Sequence, residues 1–144
     1  MDAVKSAFAA ASWPARFEFF GDNMVIDGAH NPDGAKALVS SLKTLKRPVV
    51  LLTAMMSDKN VAECVQTLSP SAIAVVATEV AMERSLPAED LAALFRGNGA
   101  KQVFVQPDTE AALKKARKLA DENNAVLCVC GSLYLAGEIR RRLK

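Results

Sequence analysis

The segment from Asp27 to Pro32 combines residue types that could bind a ligand or move a proton. Asp27 ends a short apolar run, and His30, the only histidine in the chain, follows three residues later. A carboxylate accepts hydrogen bonds, and an imidazole gains or loses a proton near neutral pH. A lone histidine is more often structural than functional. Its place beside an aspartate at the end of a predicted strand favours a functional role.

Two further segments follow predicted strands. Gly131-Ser132 comes directly after the last apolar run of the chain, and the segment 57–60 (Ser-Asp-Lys-Asn) follows an earlier one. Each has an alternative, purely structural interpretation: Ser132 can be an ordinary helix N-cap, and the segment 57–60 a solvated turn. A catalytic triad of Ser132, His30 and Asp27 is disfavoured, because two of its members share one loop and no G-x-S-x-G motif is present.

Strands and helices that alternate along the sequence must position these segments. The turn-forming residues 21–23 separate two apolar runs and predict a β-hairpin, and Asn31-Pro32 is typical of a helix start. The predicted strands are 17–20, 24–27, 49–54, 73–78, 103–105 and 125–130. The predicted helices are 31–45, 61–68, 87–95, 109–123 and 132–143.

The apolar runs of the central strands lack polar alternation, which is typical of a parallel sheet covered on both faces. The hairpin adds an antiparallel pair at the N-terminal edge. We therefore predict an α/β fold: a Rossmann-like, mixed but mostly parallel sheet of about six strands, with helices on both faces. Ligands of such sheets bind outside the carboxyl ends of the strands, where the segments described above lie.

The composition excludes several classes of protein. With 51% hydrophobic and 24% charged residues, the chain is typical of a folded globular domain. Its net charge of +2 gives no electrostatic footprint for nucleic acid, and no apolar run approaches the about 18 residues of a membrane span. Cys64, Cys128 and Cys130 lack the spacing of a zinc site or a disulfide framework. We expect a cytoplasmic protein without nucleic-acid or membrane partners.

Four segments in order resemble the motifs of folylpolyglutamate synthase/dihydrofolate synthase, a family of ATP-dependent ligases in the Mur ligase superfamily. Residues 25–32 (VIDGAHNP) carry the D-G-A-H-N-P signature. Residues 13–18 (WPARFE) are similar to W-P-G-R-F-E, with Ala15 in place of the usual glycine. Residues 58–60 (DKN) resemble D-K-D, and residues 131–138 (GSLYLAGE) resemble G-S-L-Y-L-V-G-E.

The resemblance covers only the C-terminal, glutamate ligase domain of that family, here residues 16–144, with residues 1–15 as a remnant of the interdomain linker. It implies that a larger N-terminal ATPase domain of the same polypeptide supplies the P-loop, a motif this chain lacks. The implied full-length enzyme uses ATP and Mg²⁺ to add L-glutamate to folate or to dihydropteroate through an acyl phosphate. The isolated domain is then expected to be inactive.

The resemblance also implies roles for individual residues. Arg16 and Asp27 match positions that contact ATP. His30 and Ser132 match positions around the incoming glutamate and the γ-phosphate, and His30 is the candidate catalytic residue. Lys59 would suit a glutamate carboxylate as a point charge. Most Mg²⁺ ligands are expected in the N-terminal domain, and none is assigned to this chain.

An alternative from another class remains open at this point. The chain could be a stand-alone α/β module that binds or senses a small ligand and has kept the loops without the catalysis. A P-loop upstream in the same reading frame would favour the ligase over this alternative.

Overall fold

Strands and helices alternate along the computed structural model, which describes residues 16–143. The predicted linker remnant, residues 1–15, lies outside the described residues. The strands are β1 (Glu18–Phe20), β2 (Met24–Ile26), β3 (Val49–Thr53), β4 (Ala74–Ala77), β5 (Val103–Val105) and β6 (Val126–Cys130). The helices are α1 (Pro32–Lys43), α2 (Val61–Leu68), α3 (Ala88–Gly97), α4 (Thr109–Glu122) and α5 (Leu133–Arg142), and a 3₁₀ turn spans Ser69–Ser71. The ends agree with the predicted elements to within about two residues.

The strands form one sheet in the order β1-β2-β6-β3-β4-β5. The β1–β2 pair is antiparallel, and all other pairs are parallel. The prediction of a mixed, mostly parallel sheet with a hairpin at one edge is therefore confirmed. The last strand in the chain, β6, is inserted between β2 and β3, so that the carboxyl ends of these three strands are neighbours.

The helices begin where polar side chains satisfy free backbone amides. Asn31 Oδ1 accepts the Gly34 N–H at 2.8 Å and caps α1, with Pro32 in the first turn. Asp108 caps α4 in the same way through the Ala111 N–H at 2.9 Å. The longest helix in residues 16–143, α4, has 14 residues, and none of the described helices is long and apolar enough to cross a membrane.

The sheet separates two apolar clusters. One cluster lies between the sheet and helices α4 and α5, and the other lies between the sheet and helices α1, α2 and α3. Alternate residues of each central strand enter opposite clusters: Val50 and Leu52 face α4 and α5, whereas Leu51 faces the other helices. This burial on both faces explains why the central strands show no polar alternation.

An ion pair holds the edge hairpin against the last helix. The Arg140 Nε donates to Glu18 Oε1 at 2.9 Å, and its Nη2 donates to Glu18 Oε2 at 3.2 Å. Both side chains keep a little under a third of their surface exposed. The two parallel hydrogen bonds give the pair a defined geometry, so β1 and α5 are joined although they are distant in sequence.

The three cysteines are buried and free. Burial, together with the nearby carboxylates of Asp58 and Glu63, raises the pKa of Cys64 to about 11. A hydrogen bond with Cys130, together with burial, also raises the pKa of Cys128. Because the thiolate is the reactive form, these thiols are poor nucleophiles at neutral pH.

Gly131 is the point where the ends of three strands meet. Its φ is +103°, in the region that favours glycine. Its N–H donates to the Ala29 carbonyl oxygen at 2.9 Å. A Cβ at this position would collide with Thr53 Oγ1 and would lie 2.6 Å from the Ala54 carbonyl oxygen. The residue that follows β6 must therefore be a glycine.

We expect Gly131→Ala to lower the free energy of unfolding by about 3 kcal/mol or more, as backbone strain and overpacking each cost about 1–3 kcal/mol. The matched control is Gly99→Ala, at φ +86° with no atom within 4 Å of the added Cβ. In the control, only the backbone strain should lower the free energy of unfolding, by about 1 kcal/mol. Denaturant unfolding of both variants measures the difference, and equal losses would show that the close approach at Gly131 is not tight.

Candidate functional site

The candidate site lies at the carboxyl ends of β2, β6 and β3. Asp27 directly follows β2, and its N–H continues the sheet by donating to the Val129 carbonyl oxygen at 2.9 Å. Gly131 and Ser132 directly follow β6, and Ala54 directly follows β3. Helix α1 leaves β2 on one face of the sheet and α5 leaves β6 on the other. This divergence creates the kind of crevice in which open α/β sheets bind ligands.

Asp27 ties the start of the hairpin to the loop after β2. Its Oδ2 accepts the Phe17 N–H at 3.0 Å, and its Oδ1 accepts the Ala29 N–H at 2.8 Å. Phe17 has a φ of +46°, which is uncommon for a bulky residue, and the first hydrogen bond stabilises it. Burial raises the pKa of Asp27, while the two amides and the charge of Arg16 lower it, and burial is the larger effect.

His30 is exposed, as expected for a residue on a strand-end loop. Its Nδ1 lies 2.9 Å from the Gly28 carbonyl oxygen. Gly28 itself is buried, and the next residue, Ala29, is hydrogen-bonded through its N–H to Asp27 and through its carbonyl oxygen to Gly131. The imidazole is therefore attached to a rigid part of the loop.

A cleft of about 390 Å³ brings together three of the predicted site residues, Arg16, Asp27 and His30. The loop after β2 and the helix α1, as far as Ser41, line this cleft. The volume falls within the about 300–1,000 Å³ of small-molecule sites. We call this feature the main cleft.

Ser132 lies outside the residues that line the main cleft. It is 1% exposed, and its Oγ accepts the N–H groups of Tyr134 at 3.0 Å and Leu135 at 3.3 Å. The structural interpretation of Ser132 as an N-cap, here of α5, is confirmed. The hydroxyl hydrogen is the part of this side chain that is left for another partner.

Lys59 lies on the exposed segment 57–60 and is absent from the lining of the main cleft as the described residues form it. In the same segment, Asp58 Oδ1 accepts the Asn60 N–H at 2.7 Å, which makes the predicted turn. Asp58 also lines a second, much smaller cavity of about 40 Å³ together with His30 and Gly131. His30 therefore lies between the main cleft and this small cavity.

Sequence reasoning singled out the segment 57–60 but gave Asp58 no role as a wall residue, and it missed Thr53 beneath Gly131. Thr53 Oγ1 is buried and has no hydrogen-bond partner within the described part of the chain. Sequence spacing could not have found either, because the contacts join different strand ends. Among residues 16–143, no three His, Cys, Asp or Glu side chains are grouped in a way that could hold a metal ion.

Comparisons with known proteins agree with this architecture. The folylpolyglutamate synthase of Lacticaseibacillus casei is 33% identical over 144 residues, which cover 97% of this chain and 32% of that protein. The dihydrofolate synthase/folylpolyglutamate synthase of Bacillus subtilis is 26% identical and is covered to 33% of its length. The chain thus spans about a third of the length of each of these two relatives.

Solved structures give the same result. A folylpolyglutamate synthase of Mycobacterium tuberculosis, complexed with ADP and AMPPCP, superposes with a TM-score of 0.84 at 29% identity, over 99% of this chain and 35% of that one. A bifunctional folylpolyglutamate synthase/dihydrofolate synthase with Mn, AMPPNP and L-glutamate bound has a TM-score of 0.81 at 28% identity, over 93% and 32% of the two chains.

The family model described as "Mur ligase, glutamate ligase domain" matches residues 15–133, which is most of the chain and contains every candidate site residue. The six strands of the sheet, the loop after β2 and the glycine after β6 all lie within the matched range. The chain therefore belongs to the family of Mur ligase glutamate ligase domains.

Proposed function

We propose that this chain is the C-terminal portion of an ATP-dependent ligase that adds L-glutamate to folates, to dihydropteroate, or to both. The observation that carries the proposal is the main cleft, where Arg16, Asp27 and His30 meet at the carboxyl edge of a glutamate ligase domain. The names of the relatives, folylpolyglutamate synthase and dihydrofolate synthase, supply the substrate classes.

The proposed full-length polypeptide has two domains and works in the cytoplasm. Residues 16–144 form its glutamate ligase domain, and residues 1–15 are the remnant of the linker. A larger N-terminal ATPase domain supplies the P-loop, which is absent from this sequence, and most of the Mg²⁺ ligands. The cleft at the carboxyl edge would then face that domain.

The proposed reaction has two steps. The γ-phosphoryl group of ATP passes to a carboxylate of the folate, or of dihydropteroate, and forms an acyl phosphate. The amine of L-glutamate then attacks the carbonyl carbon, the bond from that carbon to the phosphate oxygen breaks, and phosphate leaves. The residues of this chain bind and orient the reactants, which converts an encounter in solution into a reaction between held groups.

On the nucleotide side, we assign Arg16 and Asp27. Arg16 is exposed at the rim of the main cleft, and its guanidinium suits phosphate oxygens. Each carboxylate oxygen of Asp27 accepts one amide hydrogen bond and keeps a second acceptor position, which can take a hydroxyl of the nucleotide. The ADP and AMPPCP of the related M. tuberculosis structure support an adenine nucleotide as a ligand of the full-length polypeptide.

On the glutamate side, we assign His30, Ser132 and Lys59, with His30 as the catalytic residue. Ser132 opens α5, and a helix N-terminus favours a carboxylate. The hydroxyl hydrogen of Ser132 can be donated to that carboxylate. Lys59 adds a positive charge on an exposed segment that a carboxylate can reach. The related structure with L-glutamate bound supports L-glutamate as a substrate of the full-length polypeptide.

The proposal is tested by assaying the 144-residue chain beside the full-length polypeptide, with ATP, L-glutamate and either a reduced folate or dihydropteroate. We expect glutamate-dependent phosphate release, and a product heavier by one glutamate residue, from the full-length polypeptide alone. Turnover by the 144-residue chain at the usual rates of about 1–10³ s⁻¹ would contradict the proposal that catalysis requires the N-terminal domain. A full-length polypeptide that binds these ligands without turnover would favour the stand-alone binding module.

Asp27→Ala in the full-length polypeptide should raise the KM for ATP about tenfold or more, since hydrogen bonds to a charged group contribute about 1.5–3 kcal/mol. The KM for glutamate should change little. Because the substitution removes the acceptor of two backbone hydrogen bonds, the N–H groups of Phe17 and Ala29 should also exchange faster with deuterium. The control is Asp33→Ala, which removes an exposed carboxylate from the same cleft. An equal rise in the KM values for ATP and glutamate in Asp27→Ala would contradict the nucleotide assignment.

Ser132→Ala should raise the KM for glutamate about ten- to a hundredfold and spare the KM for ATP. It should also lower the stability of the isolated chain by about 1 kcal/mol, because the N-cap of α5 is lost. Ser132→Thr keeps both the acceptor and the hydroxyl hydrogen and is the matched control. If Ser132→Ala lowers stability but leaves both KM values unchanged, the hydroxyl serves only as a helix cap.

A further inference from the structure

The hydrogen bond of His30 determines which of its two ring nitrogens can accept a proton. Nδ1 lies 2.9 Å from the Gly28 carbonyl oxygen. A carbonyl oxygen can only accept a hydrogen bond, so the hydrogen must lie on Nδ1. In the neutral ring Nε2 then carries a lone pair and no hydrogen.

The main chain holds this arrangement from both sides. Gly28 is buried, and the following residue, Ala29, donates its N–H to Asp27 and accepts the N–H of Gly131. On the other side, Asn31 is fixed as the N-cap of α1. The carbonyl group that selects the tautomer of His30 therefore cannot turn away without breaking these contacts.

Carboxylates lie on both sides of the exposed imidazole of His30. On one side is the small cavity, where Asp58 contributes a carboxylate and the Cys64 thiol is neutral because its pKa is raised to about 11. On the other side is the main cleft, with the carboxylate of Asp27 and the exposed Arg16 at its rim. A primary ammonium group bound beside His30 and Asp58 would be attracted by the carboxylate of Asp58, and the lone pair on Nε2 could accept its proton.

We propose that Nε2 of His30 is the base that removes a proton from the ammonium group of the incoming amino acid. The inference rests on the proposed ligase function and adds a specific proton transfer to it. The N–H bond of the ammonium group breaks and its proton moves to Nε2. The freed electron pair forms the new C–N bond, the bond from carbon to the phosphate oxygen breaks, and the departing phosphate takes the second proton of the nitrogen.

The hydrogen bond to Gly28 also favours the charged product of this transfer. When Nε2 is protonated, Nδ1–H remains bound to the Gly28 carbonyl oxygen, and a hydrogen bond from a charged donor is stronger than one from a neutral donor. A different role for His30, as a cation that holds a carboxylate or phosphate, would need both ring nitrogens protonated before the substrate arrives. The two roles therefore require opposite protonation states of Nε2 before the substrate binds.

The first test uses the 144-residue chain, in which a single histidine makes the assignment direct. Long-range ¹H–¹⁵N correlation at about pH 8, where an ordinary imidazole is neutral, should show a protonated Nδ1 and a lone-pair-bearing Nε2. His30→Ala removes the signals and confirms their origin. A hydrogen on Nε2, on both nitrogens, or in rapid exchange between them would overturn the inference, whatever the outcome for the ligase function.

The second test uses the full-length polypeptide and His30→Asn, whose side-chain N–H can still donate to Gly28 but whose oxygen is not basic. We expect kcat with glutamate to fall about 10²–10⁴-fold, the usual contribution of a general base, and the KM for glutamate to stay within a few-fold. With hydroxylamine, whose nitrogen is already unprotonated near neutral pH, the loss should be at least tenfold smaller.

Two outcomes of the second test would overturn the inference. A higher KM for glutamate at unchanged kcat would make His30 a binding residue, and an equal loss with hydroxylamine would place its effect on acyl phosphate formation. Absence of glutamate-dependent turnover in the unsubstituted polypeptide would refute the ligase proposal itself. The melting temperature of His30→Asn should stay within about 5 °C of the parent, which separates a chemical effect from unfolding.

Discussion

The geometry of the carboxyl edge depends on one close approach, at Gly131. Its backbone lies against Thr53 and Ala54 at the end of β3, and its N–H reaches Ala29 after β2. Three strand ends can meet there because no side chain separates them. The loop that carries His30 is held by the same contacts. Packing of the sheet and placement of the imidazole are therefore controlled at the same position.

Several polar groups of the site bind the protein's own main chain before they can bind anything else. Asp27 accepts two backbone amides, Ser132 accepts two, and His30 donates to a carbonyl oxygen. Each of them retains at least one further hydrogen-bonding position. The direction of that remaining position is set by the fold, so the site is ordered in advance of its ligands, and ligand binding loses less entropy.

The elements could be predicted because their apolar runs are bounded by proline, glycine and asparagine, and the helix 61–68 and the strand 103–105 agree at both ends. The position of β6 between β2 and β3 could not be predicted, because several strands have the same apolar character. Within the site, the loop 27–32 was predicted from its residue types. The bonds of Asp27 to Phe17 and the approach of Gly131 to Thr53 join residues that are distant in sequence, which spacing alone cannot reveal.

The ion pair between Glu18 and Arg140 adds a side-chain link between the edge hairpin and α5, beyond the backbone pairing of β2 with β6. Glu18 follows Arg16 and Phe17 at the edge of the main cleft, and Arg140 belongs to the helix that begins after Ser132. A displacement of the hairpin must either carry α5 with it or break the pair. Because the pair is partly exposed, dissolved ions screen it. Ionic strength thus acts on how firmly the edge hairpin, which carries Arg16 and Phe17 before it, is held to the helix that Ser132 caps.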